Sequence, residues 1–242
     1  MTMLPRYLQI KNYLIGKIES GEFQKDEKLP SERELSERFK ISRMTARNAI
    51  VELVRDGYVY RNGAKGTFVA GKKVKRNFLH ACGFRTYMEE SGMKDVKTTI
   101  ICFEKVEADA WLSKQLQVNI GQACYHLLRL RSANGQNMAV DESYLNGKLM
   151  PNLMQYDFSQ VSLWEVMGDR YHCKPVRTSS AIELHHFEKR ESKLLDVKNG
   201  TVGFRVLSTN YAENQEIVEY CVTYYRGDLF LFAYETDVDG NA

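Results

Sequence analysis

Residues 29–69 restrict the possible architecture of the chain more than any other stretch, and they read LPSERELSERFKISRMTARNAIVELVRDGYVYRNGAKGTFV. Ser31 is followed three residues later by Glu34, which is the spacing of a capping box. In this motif the serine hydroxyl accepts from a helical N–H, and the glutamate carboxylate accepts from the serine amide. Ser42 is placed as the N-cap of a second helix. The pattern predicts two short helices with a tight turn between them.

The second predicted helix has one apolar face and one polar face. Apolar residues recur at helical spacing at Ala46, Ala49, Ile50, Leu53 and Val54. Gly57 supplies a left-handed residue that ends the helix, and residues 58–60 and 67–69 alternate as a strand pair around Asn62-Gly63 and Gly66. Two helices followed by such a hairpin form a winged helix-turn-helix.

The polar face of this helix is the predicted DNA contact. Arg43 and Arg47 lie four residues apart near its N-terminus, where a recognition helix presents side chains to base edges and arginine can bind guanine O6 and N7. Arg33 lies in the preceding helix, which favours a phosphate contact. The alternative is that these arginines form a solvated helix face with partners four residues away. The predicted DNA-binding residues are Arg33, Ser42, Arg43, Thr45, Arg47, Lys65 and Gly66.

These residues carry a family resemblance. The segment from PRYLQIKNYLIGKIESGEF through KLPSERELSERFKISRMTARNAIVELVRDGYVYRNGAKGTFV resembles the N-terminal domain of GntR-superfamily transcription regulators. Two departures are visible, because Lys25-Asp26 replaces a Pro-Gly-like turn and Ala46 replaces the usual valine. The resemblance implies binding to a double-stranded DNA operator, and a symmetric homodimer would bind an imperfect palindrome.

The charge of the chain is distributed unevenly. The formal net charge is +3 over 242 residues. Residues 1–76 contain 17 Lys and Arg against 9 Asp and Glu, a balance of +8, whereas residues 77–242 contain 17 against 22, a balance of −5. Only the N-terminal part is therefore suited to a polyanion. We expect a DNA-binding domain at 1–70, a basic linker at 71–77 that is either solvated or touches the DNA backbone, and a second domain at 78–242.

Cysteine usage and hydropathy indicate the compartment. The five cysteines are scattered, with no CxxC pair, which favours a reducing environment. No apolar run approaches the roughly 18 residues needed to span a bilayer, and the N-terminus lacks a signal-peptide core. We expect a cytoplasmic protein with no membrane partner.

The second domain contains an internal repeat with an offset of about 79 residues. Each half has a strand, a short helix, an Asn-x-Gly or Asn-Gly sequence, and two further strands. The predicted strands are 98–106, 125–131, 138–145, 177–187, 204–211 and 217–225. Six largely antiparallel strands with helices packed on them give an α+β domain.

The segments LLRLRSANGQNMAVDESYL, VSLWEVM and VEYCVTYYRGDLFLF carry a second resemblance. They resemble the UTRA ligand-binding domain of the HutC-like GntR subfamily, which implies a chorismate lyase-like fold and a bound effector. Trp164 stands where related sugar-phosphate responders tend to have tyrosine. By this resemblance the effector-binding positions are Arg129, Arg131, Asp141, Ser162, Trp164, Glu219 and Tyr225.

The residues themselves favour an anionic effector. Arg129 and Arg131 are two apart on a predicted strand, so both leave one face and can grip a phosphate or carboxylate. Ser162 would cap a helix whose free N–H groups complete the site. Two alternatives remain open. Arg129 and Asp141 could form a cross-strand ion pair, in which case losing Arg129 would disturb the sheet more than losing Arg131. Tyr225 could belong to a structural turn.

Three functions are compatible with these patterns. The first is a repressor released by a small anionic metabolite such as a phosphorylated sugar. The second is a DNA-tethered enzyme of lyase-like fold, and the third is an architectural DNA binder without an effector. The sequence has no P-loop, and His185-His186 would point to opposite faces of a strand. We therefore expect no enzymatic activity, no cofactor and no metal.

Overall fold

The computed structural model describes residues 4–62, 65–70, 73–77 and 83–234. The chain divides into two compact units, Met1–Lys73 and Val74–Ala242. None of the helices in the described ranges is both long enough and apolar enough to cross a membrane.

The first unit contains three helices and a hairpin. Its elements are α1 (Arg6–Glu19), α2 (Glu32–Phe39), α3 (Arg43–Arg55), β1 (Val59–Arg61) and β2 (Thr67–Val69). The capping box is present, since Ser31 Oγ accepts from the Glu34 N–H at 3.2 Å and the Glu34 carboxylate accepts from the Ser31 N–H at 2.7 Å. Ser42 Oγ accepts from the Thr45 N–H at 3.1 Å. The predicted helix-turn-helix is therefore confirmed.

The core of the first unit is built from the predicted apolar faces. Ala46 and Ala49 of α3 are fully buried, which lets the helices approach closely. They pack with larger side chains of α1, α2 and α3, namely Ile10, Leu14, Leu35, Ile50 and Leu53. Val54 differs from the prediction because it is 36% exposed. It lies one helical step past Leu53, at the edge of the apolar stripe.

The hairpin pairs β1 and β2 in antiparallel register, with Val59 opposite Val69. Gly57 has a φ of +77°, so a left-handed residue ends α3 as predicted. The Asn62 N–H donates to the Gly66 carbonyl at 2.9 Å and closes the loop. Two of the predicted turn residues, Gly63 and Ala64, lie outside the described residues.

The second unit is built on a six-stranded antiparallel sheet with the strand order β4-β5-β6-β9-β8-β7. The strands are β4 (Lys97–Glu107), β5 (Ala123–Ala133), β6 (Gln136–Asn146), β7 (Arg177–His186), β8 (Val202–Tyr211) and β9 (Ile217–Arg226). Each coincides with a predicted strand to within two residues at either end, and the α+β fold class is confirmed.

The predicted internal repeat is visible in the sheet order, because β4-β5-β6 and β7-β8-β9 meet at the central β6–β9 pair. Each half carries one short helix, α5 (Ala110–Leu116) or α7 (Lys189–Leu195). Gly121 and Gly200, which are 79 residues apart, both have a φ of +80°. The offset found in the sequence therefore marks equivalent backbone conformations.

Several elements were not predicted. They are α4 (Phe84–Glu90), β3 (Val74–Arg76), β10 (Phe230–Phe232) and a 3-10 turn at Leu153–Gln155. The helix predicted after Ser162 is α6 (Leu163–Tyr171). Strand β3 falls in the expected linker at 71–77 and corrects it, because it pairs in parallel with β10. The charged sequence of this segment does not indicate a strand, yet Val74 is buried and packs with Phe230.

The two faces of the sheet are covered differently. Helices α5 and α7 pack on one face, around Cys124 and Tyr220 and around Leu128 and Val140, respectively. On the other face, α6 packs around Leu127, and α4 packs with Ala139 and Val206. Polar side chains of this second face remain uncovered between α4 and α6, and they line a cavity.

Candidate functional sites

The exposed face of α3 carries two arginines that have no counterion. Arg43 and Arg47 are exposed, and no carboxylate of the described chain lies within 4 Å of either guanidinium. Arg33 on α2 differs, because its Nε is 2.9 Å from Glu37 Oε1 in an i,i+4 pair. The solvated-face alternative, with partners four residues away, therefore describes Arg33 but not Arg43 or Arg47.

The start of α3 is electrostatically suited to an anion. Its first turn contains no acidic residue, and Ser42 is its N-cap. The Ser42 hydroxyl is occupied by Thr45, since it accepts from the Thr45 N–H and lies 2.9 Å from Thr45 Oγ1. A helix N-terminus bears a partial positive charge that favours phosphate.

The hairpin places Lys65 and Gly66 at its described edge. Lys65 is exposed, while Gly66 has a φ of +123° and a Cβ there would lie 2.8 Å from Lys28 Cε. Glycine is required at position 66 for backbone reasons alone. Its predicted contact with DNA stays a prediction.

In the second unit, a cavity of about 250 Å³ lies between the sheet and the N-terminal ends of α4 and α6. All the residues predicted to bind an effector line it: Arg129, Arg131, Asp141, Ser162, Trp164, Glu219 and Tyr225. They come from three strands and one helix, so the structure brings together positions that are up to 96 residues apart in the chain.

Two arginines share one carboxylate inside this cavity. Asp141 Oδ2 accepts from Arg131 Nη2 at 2.8 Å and from Arg131 Nε at 3.0 Å, and it accepts from Arg129 Nη2 at 3.2 Å. Thr223 Oγ1 donates to the other carboxylate oxygen at 2.6 Å. Burial disfavours the charged carboxylate, but the two guanidiniums and the threonine outweigh it and hold the pKa of Asp141 well below its usual range.

The expected ion pair between Arg129 and Asp141 is thus present, but Arg131 also takes part in it, which was not predicted. Arg131 contacts Asp141 more closely than Arg129 does, and Arg131 Nη1 also donates to Thr98 Oγ1 at 2.7 Å. Arg131 is therefore no freer than Arg129. Burial and the neighbouring charge of Arg131 lower the pKa of Arg129, whose Nε is buried without a partner among the described residues. The three groups together carry one net positive charge.

Glu219 occupies another part of the cavity, four residues along β9 from Thr223. Its carboxylate is buried and accepts three hydrogen bonds, from Ser143 Oγ at 2.6 Å, Trp164 Nε1 at 3.0 Å and Asn210 Nδ2 at 2.8 Å. The bond from Trp164 fixes the indole at the cavity wall. Tryptophan at this position therefore has a defined partner in place of the hydroxyl that tyrosine would bring.

A row of small polar residues beside Glu219 was missed. Strands β7 and β8 contribute Thr178, Ser180, Ser208 and Asn210 to the cavity. Thr178 is opposite Asn210, and Ser180 is opposite Ser208. In the sequence these residues belong to two continuous polar runs, 178–180 and 208–210, and alternate members of each run share one face of the strand.

Ser162 and Tyr225 complete the predicted set. Ser162 is the N-cap of α6, and its hydroxyl accepts from the Glu165 N–H at 3.5 Å. Tyr225 is 5% exposed, and burial raises its pKa to about 12. Its ring packs edge-on against Phe230, with centroids 4.7 Å apart. Tyr225 therefore lies on β9 and not in a turn, so the turn alternative is wrong for this residue. It packs in the core and also borders the cavity.

Arg76 is a further cavity residue that the sequence did not indicate. It was assigned to the linker, yet it lies on β3 and lines the cavity. Its guanidinium stacks on two rings, 4.6 Å from the centroid of Tyr87 and 5.4 Å from that of Tyr225. No pattern in the sequence around it distinguishes it from the neighbouring lysines.

A separate polar cluster lies on the opposite face of the sheet. Cys102, Glu104 and His126 each offer one ligand atom, and these atoms lie within 4.8 Å of one another. Hydrogen bonds already join them, because His126 Nδ1 is 3.3 Å from Glu104 and Nε2 is 3.0 Å from the buried Glu142. The bond to Glu142, together with that to Glu104, raises the pKa of His126 despite burial. These three side chains are the described residues best placed to bind a metal ion, while the prediction of no metal stays a prediction.

Comparison with known proteins matches both units. A sequence model of gntR-family bacterial regulatory proteins matches residues 6–69, and one of the UTRA domain matches residues 91–230. The HTH-type transcriptional repressor NagR of Bacillus subtilis is 31% identical over 97% of this chain and 96% of its own. A probable fructoselysine utilization operon transcriptional repressor of Escherichia coli is 26% identical over 88% of this chain and 86% of its own.

The fold is also found in a solved structure. The crystal structure of PhnF from Mycobacterium smegmatis superposes with a TM-score of 0.72 and 24% identity, covering 95% of this chain and 99% of that one. The UTRA match alone spans more than half of the chain, and the gntR match precedes it. The chain therefore belongs to the GntR family of bacterial regulatory proteins, as a ligand-responsive, DNA-binding transcription regulator with a UTRA domain.

Proposed function

We propose that this regulator is a repressor whose affinity for its operator is lowered by a small anionic carbohydrate derivative, such as a sugar phosphate, bound in the cavity of the second unit. The observation that carries the proposal is the division of the cavity wall. One part holds Arg129, Arg131 and the N-cap Ser162, whereas the other holds hydroxyls, an amide and Glu219. The first part suits a charged oxyanion, and the second suits the hydroxyl groups of a carbohydrate.

The size of the cavity supports a small ligand. Pockets for drug-sized ligands enclose roughly 300–1,000 Å³, and this cavity encloses about 250 Å³. The relative from Escherichia coli is named for the utilization of fructoselysine, a compound derived from a sugar. NagR is named a repressor. Both names favour a repressor, and the first also favours an effector derived from a carbohydrate.

On the DNA side, we propose that Arg43 and Arg47 read bases and that Arg33 and Lys65 contact phosphates, with Ser42, Thr45 and Gly66 shaping the surface. The absence of a counterion within 4 Å of either α3 guanidinium, as far as the chain is described, supports the first assignment. A homodimer would place two copies of α3 on the two halves of a palindromic operator.

Operator affinity with and without ligand tests the proposal. Fluorescence anisotropy on a palindromic operator should show weaker binding when glucose 6-phosphate, fructose 6-phosphate or another member of a sugar-phosphate panel is added. A coupling of about 1–3 kcal/mol corresponds to a roughly 5- to 150-fold change in affinity. The dephosphorylated sugars are the control, and they should have a much smaller effect. Product formation from any of these compounds would instead support the enzyme alternative.

Arg131→Ala gives the matched test of the site. We expect this variant to bind the operator as the wild type does when no ligand is present. The sugar phosphate that weakens operator binding by the wild type should have no effect on the variant. A variant that melts as a folded protein and still responds fully would place the anion elsewhere. Because Arg131 contacts Asp141 and Thr98, its thermal melt must be compared with the wild type before the response is interpreted.

A further inference from the structure

The charged residues of the cavity do not cancel. Four cations line it, Arg76, Arg85, Arg129 and Arg131, against three carboxylates, Asp141, Glu165 and Glu219. Arg129 and Arg131 both bind Asp141. Glu219 is satisfied by neutral donors, and Arg85 is exposed. The cavity therefore has an excess of one positive charge, and the position of that charge decides where an anion binds.

Among these four arginines, Arg76 is the one that is half-buried and lacks a carboxylate partner in the described ranges. Within the described ranges, no carboxylate lies within 4 Å of its guanidinium, and its Nη1 is buried without a hydrogen-bond acceptor. A buried donor that lacks an acceptor costs roughly 1–3 kcal/mol, and more when the group is charged. An acceptor supplied by a ligand would remove this cost. Arg131 differs, because three of its nitrogen atoms already donate to Asp141 and Thr98.

The guanidinium of Arg76 is also fixed in place. It lies over the rings of Tyr87 and Tyr225. The Tyr87 hydroxyl donates to the Lys75 carbonyl and accepts from the Asn77 N–H, so the ring is tied to the backbone on both sides of Arg76. On the strand itself, the Arg76 carbonyl accepts from the Ala233 N–H at 3.0 Å. A planar cation held between rings is preorganised to meet an oxyanion with little loss of side-chain entropy.

We infer that Arg76 binds the anionic group of the effector directly, and that it adds a positive charge to the one that Arg129, Arg131 and Asp141 carry together. This inference rests on the proposed function, in which the effector is an anion bound in this cavity. It also assigns an effector contact to the first strand of the second unit, three residues after Lys73, where the first unit ends.

The test is a titration of the full-length protein with inorganic phosphate and a panel of hexose 6-phosphates, followed by calorimetry. Arg76→Met should weaken binding of the tightest of these probes by at least about tenfold, the equivalent of one charge-assisted hydrogen bond. The dependence of affinity on salt concentration should also flatten, because one charge is lost. Arg76→Lys should recover the salt dependence and only part of the affinity, since it restores the charge without the planar fork.

Arg177→Met is the matched control. Arg177 also stacks on a tyrosine, 3.6 Å from the Tyr211 centroid, but it does not line the cavity. This control should bind the probe as the wild type does. If Arg76→Met does not fold by thermal melt, Arg76→Gln replaces it, because glutamine removes the charge and keeps a polar, stackable side chain.

The outcomes separate this inference from the proposed function. Suppose that the wild type binds a probe and that folded Arg76→Met or Arg76→Gln binds it equally well, with the same salt dependence. Arg76 is then not an effector contact, while the proposal of an anionic effector is unaffected. If the wild type binds none of the anions, the anionic effector fails and the inference fails with it. Weaker binding in both the Arg76 variants and Arg177→Met would show a loss of packing, and it would also overturn the direct contact.

Discussion

The two units of the protein use paired arginines in opposite ways. Arg43 and Arg47 are exposed on α3, with no carboxylate of the described residues within 4 Å. Arg129 and Arg131 are buried and share Asp141. Water stabilises an exposed guanidinium, so its charge stays available to a polyanion. A buried charge requires a counterion, because the penalty for leaving it unpaired is several kcal/mol. Spacing alone therefore predicts an available pair of charges in the first unit, but in the second it leaves out the carboxylate that the two arginines share.

Removing the shared counterion should have the largest effect. Asp141→Asn would leave Arg129 and Arg131 buried without a carboxylate, and we expect a loss of about 3–5 kcal/mol in the free energy of unfolding. Chemical denaturation of the full chain at pH 7 measures it. Glu183→Gln is the control, since the Arg205–Glu183 pair is about 40% exposed and such pairs contribute less than about 1 kcal/mol.

The same variant has a pH signature with a defined sign. The pKa of Asp141 is lowered in the folded state, so its contribution to stability is present above the unfolded-state value of about 3.9 and is lost as the pH falls below it. Wild-type stability should therefore decline more steeply than that of Asp141→Asn below about pH 4. Parallel acid-denaturation profiles would mean that Asp141 does not hold the arginines as described.

The sequence predicted the local features of both units and missed the long-range ones. The capping box of α2, the Ser42 cap, and the equivalent glycines 121 and 200 all act within a few residues, and each is present. Strand β3 pairs with β10 more than 150 residues away, and its KVKR sequence resembles a solvated linker. Helix α4 begins at Gly83 without a side-chain cap, so the usual start signal is missing.

The sequence predicted part of the cavity wall but not the contacts within it. Family resemblance and strand alternation identified seven wall positions. Arg129 lies directly opposite Asp141, whereas Arg131 lies opposite Ala139, so strand pairing alone does not predict that Arg131 makes the closer contact. The hydroxyl row on β7 and β8 required knowing that these strands lie beside β9.

Arg47→Ala should have an intermediate effect, confined to DNA recognition. A bidentate contact to a base carries about 1–3 kcal/mol of discrimination, so specificity for the operator over random DNA should fall by that amount. Thermal stability should hardly change, because Arg47 has no ion-pair partner in the described part of the chain. Anisotropy on operator and random duplexes measures both affinities, and an equal loss on the two would identify Arg47 as a phosphate contact.

Arg33 lies between the two extremes, since it is exposed and yet paired, and its substitution should have the smallest effect. Its Nε is 2.9 Å from Glu37, but the two side chains are 70% and 63% exposed, and such helical pairs contribute only about 0.3–0.5 kcal/mol to stability. Phosphate can therefore displace Glu37 at little cost. We expect Arg33→Ala to weaken operator and random DNA equally and to reduce the slope of log K against log salt by about 0.9, the value for one phosphate contact. Glu37→Gln is the converse variant, because it frees Arg33 and should strengthen binding to both duplexes slightly. An unchanged salt slope in Arg33→Ala would show that Arg33 does not contact a phosphate, although it is exposed. Exposure alone would then not identify a DNA contact in this unit, and only Arg43 and Arg47 would remain to be contrasted with the buried pair.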